Sequence, residues 1–454
     1  MVASVAEAVD RIKAHWSRQF SDQAIEDACR AAEHQWRKRL LPPGLTVRLF
    51  LLQILYGNTA CSHLSRISGE EFTPQAYCIA RSRLPRAALE SLLTQTVSQL
   101  GQAALDTARW LGHRVLLVDG STFSTPDLPV LQAEFGQPGQ QAKGCGFPVA
   151  HWLALMHYET GLMLKMLIAP LRTHDQSQVA ELHPELTAND VLVGDRAFCS
   201  FVHLALLFGR SVHGVFRMHQ RQIVDFTSAR PHRQAVRGKT ATKKGLPTSR
   251  WIQSLGELDQ LTEWFKPAVC PVHLSPEQFA ALPKSLIVRE LRYQIERPGF
   301  RVKQITLVTT LVDTNRYSKA ALAQLYFDRW QIETNFKHLK TTLGMDALRC
   351  ESVEGVLKEA TMFALAYNLV RLLMREAAKR QGVSVKRISF IDALRALAHA
   401  DGDAPFPELI VNPERPNRRE PRLRKRRPKP FKHLREPRAK YHATYALQTT
   451  TALS

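Results

Sequence analysis

Tyr326, Arg329, Glu333 and Lys340 lie in the stretch Leu325-Tyr-Phe-Asp-Arg-Trp-Gln-Ile-Glu-Thr-Asn-Phe-Lys-His-Leu-Lys340. At about 100° per residue on an α-helix, the other three fall within about 60° of Tyr326. Leu325, Ile332, Phe336, Leu339 and Leu343 fall on the adjacent face and predict its burial. One helix is therefore expected to seat itself in a core and present a carboxylate between two cations and a phenol. An Arg–Glu pair at i, i+4 is also an ordinary surface pair contributing a few tenths of a kcal/mol. A lone carboxylate among phosphate-binding groups points instead to metal chemistry on a phosphodiester.

Two further acids make that reading concrete. Val115-Leu-Leu-Val-Asp119 and Val191-Leu-Val-Gly-Asp195 are apolar runs that each close on an aspartate, which predicts strands ending in a carboxylate. Acids at strand ends of a mixed sheet converge on one rim. Gathered with Glu333 they repel one another unless a cation neutralises them. Hard oxygen ligands suit Mg²⁺. Two such ions activate an attacking oxygen and stabilise a leaving one in an in-line displacement. Taken singly, Asp119 before Gly120-Ser121 also reads as a turn residue, and Asp195 before Arg196 as half of an ion pair.

The elements that must position these groups follow from the periodicity. Val5–Phe20, Asp22–Leu40, Leu45–Tyr56 and Leu84–Leu105 carry helical apolar spacing, giving an all-helical N-terminal domain over 1–108. The period then changes. Strands are expected at Arg114–Asp119, Ala150–Tyr158, Leu162–Ile168, Val191–Asp195 and Val212–Arg217, with helices at Gln176–Leu186 and Phe201–Gly209. This is an α/β mixed sheet, its first part at 109–217. Residues 218–315 read as a β-rich insertion with strands at Ser285–Gln294 and Phe300–Leu311, and 316–400 complete the core. The segment 401–454 reads as a flexible basic tail. Between Pro413 and Lys440 it holds 13 Lys/Arg, three Glu and six Pro, a composition that cannot bury enough apolar surface to order itself. Such a tail adds salt-sensitive affinity for phosphate.

Over 454 residues, 62 Lys+Arg against 41 Asp+Glu leave a net charge of +21. That excess favours a polyanionic partner, nucleic acid foremost. The seven cysteines form no CxxC pair, which argues for free thiols in a reducing cytoplasm and against a zinc site or disulfide framework. No apolar run approaches the roughly 18 residues of a membrane helix, so no membrane association is expected.

The chain resembles bacterial insertion-sequence transposases of the DDE type that carry the Tyr-Arg-Glu-Lys (YREK) signature. The resembling segments are Val118-Asp-Gly-Ser-Thr122, Phe135-Gly-Gln-Pro138 with Gly144-Cys-Gly-Phe-Pro148, Val193-Gly-Asp-Arg196, and Leu325 through Lys340. The resemblance implies an RNase H-like core with a β-rich insertion between the second Asp and the Glu. It implies a metal-binding catalytic triad of Asp119, Asp195 and Glu333, served by two Mg²⁺ ions with Mn²⁺ as substitute. Tyr326, Arg329 and Lys340 would grip phosphates, Trp330 would hold a flipped base (Trp251 and Trp264 being weaker candidates), and Arg196 would orient Asp195 or touch phosphate. The implied partners are double-stranded terminal inverted repeats and target DNA, joined in a synaptic homodimer in the cytoplasm, at the nucleoid. The expected activity is cut-and-paste cleavage and strand transfer, with a hairpin intermediate as one route. A nuclease on the same core that joins no strands, and a DNA-binding protein with a silent site, are the rivals.

Overall fold

The computed structural model describes residues 21–37, 40–98, 109–233, 245–295, 304–398, 408–414 and 436–451. The expected helix Val5–Phe20, the cations Lys38 and Arg39, and most of the arginine-rich run of the tail lie outside them.

Five helices open the described chain: Asp22–Ala31, Pro43–Leu55, Cys61–Ser68, Pro74–Arg83 and Arg86–Ser98. Local chemistry starts them. Ser21 Oγ accepts from Ala24 N, Thr73 Oγ1 accepts from Ala76 N, and Pro43 and Pro74 stand in first turns. The helix expected over Asp22–Leu40 stops at Ala31, because Glu33 takes the left-handed region at φ 58°. The helices do not form a core of their own. They share one continuous apolar cluster with the sheet and with a 29-residue helix, Val353–Gln381. Buried Glu359 on that helix accepts from Asn58 Nδ2 at 2.6 Å and Cys350 N at 2.8 Å, and Lys358 Nζ donates to Ser82 O at 2.9 Å.

The sheet has nine strands among the described residues: β1 Val115–Ser124, β2 Val149–His157, β3 Met163–Pro170, β4 Val191–Gly194, β5 His213–Arg217, β6 Arg250–Gly256, β7 Asp259–Phe265, β8 Ser285–Gln294 and β9 Gln304–Thr309. Their spatial order is β3-β2-β1-β4-β5-β9-β8-β7-β6. β1 to β3 form an antiparallel meander, and β4 and β5 run parallel to β1. The region expected as an insertion is β-rich, but its strands do not form a separate sheet. β9 pairs with β5 (Val215↔Thr309) and carries β8, β7 and β6 outward in one continuous ladder. Sheet strands alternate between two apolar layers, so Val115 and Leu117 face the long helix while Leu116 and Val118 face a second cluster with Leu182, Phe201 and Leu204.

Two other expectations change. Gln176–Leu186 is not one helix but a short helix, Asp175–Gln178, followed by a 3-10 segment, Val179–Glu185, that contains Pro184; the ring removes a backbone donor. The C-terminal segment is not uniformly irregular. Ile388 bridges to Val411, and a helix spans Arg438–Thr451. Arg438 pairs with Asp127 Oδ2 at 2.5 Å and lies 4.3 Å from the Phe147 ring centroid. The described part of the tail thus contains anchoring residues as well as charge. No helix among the described residues is long and apolar enough to cross a membrane.

Candidate active site

The parallel register of β1 and β4 brings the two aspartates together. Val118 pairs with Gly194, so Asp119 and Asp195 come next, side by side. By the two-residue alternation of a strand, both belong to the sheet face occupied by Leu117 and Val193. Gly194 permits this approach, since a Cβ there would stand 2.9 Å from Phe198 Cδ2 and 3.0 Å from Val118 Cγ1. Asp119 does not end its strand. β1 continues antiparallel to β2 as far as Ser124, and only the pairing with β4 stops at the acid. Asp195 does leave β4, and its Oδ1 accepts from Ala197 N at 2.7 Å to cap a three-residue 3-10 turn.

The third acid comes from the helical side. The single helix expected over Tyr326–Lys340 is three segments: Lys319–Asp328, Trp330–Lys337 and a π-turn at His338–Thr342. The core face holds, with Leu325, Ile332, Phe336, Leu339 and Leu343 all buried. The wider π-turn re-aims the side chains on it, and Lys340 Nζ donates to Ser121 Oγ on β1 at 3.1 Å. Arg329, at the joint, is buried between the acids. Its Nη1 donates to Asp119 Oδ2 at 3.0 Å and its Nη2 to Glu333 Oε1 at 3.2 Å. Tyr326 is buried beneath it, the guanidinium lying 5.7 Å from the ring centroid.

Residues 110–369 match the family model described as a transposase DDE domain. The chain belongs to that family. Over 377 residues it is 24% identical to the transposase InsG for insertion sequence element IS4 of Escherichia coli, covering 78% of this chain and 77% of that one. It is 29% identical over 186 residues to the putative transposase InsL for insertion sequence element IS186A of Escherichia coli, 39% of this chain and 49% of the relative. Among solved structures, a piggyBac transposase synaptic complex with hairpin DNA aligns at TM-score 0.43 and 11% identity, over 84% of this chain and 77% of that one. The protein is an insertion-sequence DDE transposase, an enzyme of DNA cleavage and strand transfer.

In this transposase burial and the surrounding charges shift Asp119 and Arg329. Burial pushes the Asp119 carboxyl up to about 6, with Asp195 and Glu333 adding to the rise and Arg329 and the Gly120 N–H opposing it. Burial works against the Arg329 charge, but Tyr326, Asp119, Glu333 and Asp195 outweigh it and hold its pKa above the ordinary value. Burial lifts the Tyr326 phenol to about 12 and lowers the Lys340 ammonium. Among the described residues no three Asp, Glu, His or Cys side chains stand close enough to hold one ion as they lie; Glu333 meets Asp119 through Arg329.

The remaining sequence candidates divide. Trp330 is 42% exposed. Arg196 turns outward and donates from Nη1 to Gln220 Oε1 at 2.7 Å, while the Ala197 N–H orients Asp195. Trp264 is buried and donates to Glu290 Oε1 at 2.8 Å, so it packs rather than offering a stacking face. Trp251 is half-buried on β6. Ser121 was not singled out by the sequence, although its position two residues after Asp119 puts it on the same strand face.

Proposed function

We propose that Asp119, Asp195 and Glu333 are the metal-binding catalytic triad of this transposase, in an RNase H-like core formed by the β3-β2-β1-β4-β5 half of the sheet. One observation carries the reading: parallel register sets Asp119 beside Asp195, and Arg329 joins Asp119 to Glu333. The donor set fits a hard divalent cation, because all three groups are carboxylates and a buried cation already lies among them. Two Mg²⁺ ions, or Mn²⁺ in their place, would activate the attacking oxygen and stabilise the leaving oxygen when bound.

The chain's own groups do the rest. Arg329 and Lys340, with the Tyr326 hydroxyl, meet phosphate oxygens next to the scissile bond, in the manner of the YREK signature. Arg329 is shared between acid and phosphate, so substrate binding and acid positioning are coupled through one guanidinium. The exposed Trp330 indole offers a stacking face for an unpaired base. Water attacks the phosphodiester at the element's end and the P–O bond to the departing strand breaks, leaving a 3′-hydroxyl. That hydroxyl then attacks a second phosphodiester, through a hairpin or directly in target DNA. The N-terminal helices and the basic tail extend the contact along terminal-repeat duplex, and two copies bring two ends together.

The test is cleavage of end-containing duplex in Mg²⁺ by the protein and by Asp119→Ala, Asp195→Ala and Glu333→Ala. Nicking and joined product vanish in all three variants; persistence of nicking in any one removes that acid from the triad. Cleavage without joined strands would make the activity a nuclease.

A further inference from the structure

On the sheet face opposite the acids lies a polar cluster that the chemistry above does not use. Gly120 and His151 share the face of Leu116, Val118 and Leu153, away from Asp119. His151 Nε2 donates to Asp175 Oδ1 at 2.7 Å, with 13% and 25% of the two side chains exposed. A Cβ on Gly120 would stand 2.9 Å from His151 Cε1 and 3.1 Å from Asp175 Oδ1. The pair therefore lies directly beneath the backbone just after Asp119. The next residue, Gln176, donates from Nε2 to Ala197 O at 2.9 Å, and Ala197 donates its N–H to Asp195 Oδ1 at 2.7 Å. One short segment thus reaches both the strand that bears the first acid and the turn that bears the second.

Such a link matters because Asp195 lies past the last paired residue of β4. Among the described residues its carboxylate accepts from the Ala197 N–H in a 3-10 turn, a geometry with weak internal hydrogen bonds. A carboxylate that must meet an ion beside Asp119 gains from a turn that is already set before the ion arrives. Gln176 holds that turn through Ala197, and the His151–Asp175 pair holds Gln176 against the sheet.

We propose that Gln176 is a positioning residue for Asp195, braced by His151 and Asp175 from behind the sheet. The proposal rests on Asp119 and Asp195 being metal ligands. The experiment uses the full-length protein and the variants Gln176→Ala, Gln176→Met, Asp175→Ala, Asp175→Asn and Asp195→Ala. Four quantities are read: Mn²⁺ binding by electron paramagnetic resonance, single-turnover cleavage at saturating end duplex, duplex affinity without divalent ion, and Tm. Gln176→Ala and Gln176→Met are expected to weaken Mn²⁺ binding and slow cleavage about tenfold or more, with duplex affinity and Tm unchanged. Met keeps the length of Gln without its donor and serves if the Ala variant folds poorly. Asp175→Ala should behave like Gln176→Ala, while Asp175→Asn, which keeps an acceptor for His151, should recover most of the loss. Wild-type Mn²⁺ binding and cleavage in both Gln176 variants, or a loss of Tm alone, would overturn the brace while an inactive Asp195→Ala left the triad standing. An active Asp195→Ala with undiminished Mn²⁺ binding would remove the triad, and the brace with it.

Discussion

Arg289 and Arg329 both meet carboxylates beside the same sheet, and they do so in opposite ways. Arg289, on β8, is 1% exposed and faces Asp259 of β7 as a fork, Nε to Oδ1 at 2.8 Å and Nη2 to Oδ2 at 2.5 Å. Its Nη1 donates to Tyr317 O at 2.6 Å, so each of its nitrogens has a partner. Arg329 is split between two acids of different elements, and its Nε is buried without a hydrogen-bond partner among the described residues. Glu333, one of those acids, keeps 43% of its side chain exposed. A satisfied buried pair holds strands together. An arginine split between two acids, with an unpartnered Nε and one acid open to solvent, is less firmly fixed. Arg289 and Asp259 are thus sealed within the outer half of the sheet, while Arg329 on the inner half stays beside a carboxylate that reaches solvent.

The strongest break in this comparison is at the acids themselves. Asp119→Ala, Asp195→Ala and Glu333→Ala should each reduce end cleavage by at least about 10²-fold, the scale of losing one preorganised electrostatic group, with the fold retained by circular dichroism. Arg289→Ala should do the reverse. It leaves Asp259 buried and unpaired, and should cost about 3–5 kcal/mol of stability in a denaturant titration, with cleavage per folded molecule unchanged. Arg329→Ala should lower cleavage far more than stability, because Asp119 can relieve its loss by taking a proton.

A pH series sharpens the contrast further. The Asp119 carboxyl is raised from 3.8 to about 6 in the folded state, so the native protein binds the extra proton between those values. Stability should therefore fall as pH rises through that window and level off above about 6. The fall should shrink in Asp119→Asn, and added Mg²⁺ should raise Tm at pH 7 in the parent but much less in that variant. Thermal melts at about pH 4.5, 6 and 7 read both effects. The smallest effect is expected at the tail. Arg438→Ala removes an ion pair and a cation–π contact, together about 1–2 kcal/mol at a partly exposed site. Limited proteolysis should then cut sooner at the Arg438–Thr451 helix, with the core melting unchanged.

Much of this organisation was legible in the residues. Apolar runs located β2 to β5 to within two positions, the start of β1 and the whole of β8, since burial demands apolar side chains at the buried positions; the second half of β1, Gly120–Ser124, was missed because its residues are mostly small and polar. The core stripe Leu325, Ile332, Phe336, Leu339 and Leu343 was readable for the same reason. The π-turn that carries Lys340 was not, because a local spacing rule assumes one helical period. Nor was the continuation of the insertion strands into the main sheet, which depends on β9 finding β5 far along the chain. The docking of Arg438 was hidden because a run of arginine and proline carries no trace of the carboxylate and aromatic ring that will receive one of its members.

By itself the sequence determined the chemical inventory: three acids, their cations, the apolar segments that carry them, and a charge suited to DNA. These follow from residue type and short-range order, which act locally whatever the distant parts of the chain do. Only the tertiary structure decided that Asp119 and Asp195 follow paired residues of neighbouring strands, that Arg329 stands between Asp119 and Glu333, and that Gln176 bonds Ala197 in the turn after Asp195. Those facts depend on strand register and helix packing, which form between residues far apart in the chain and are set by burial of the whole core rather than by any single segment.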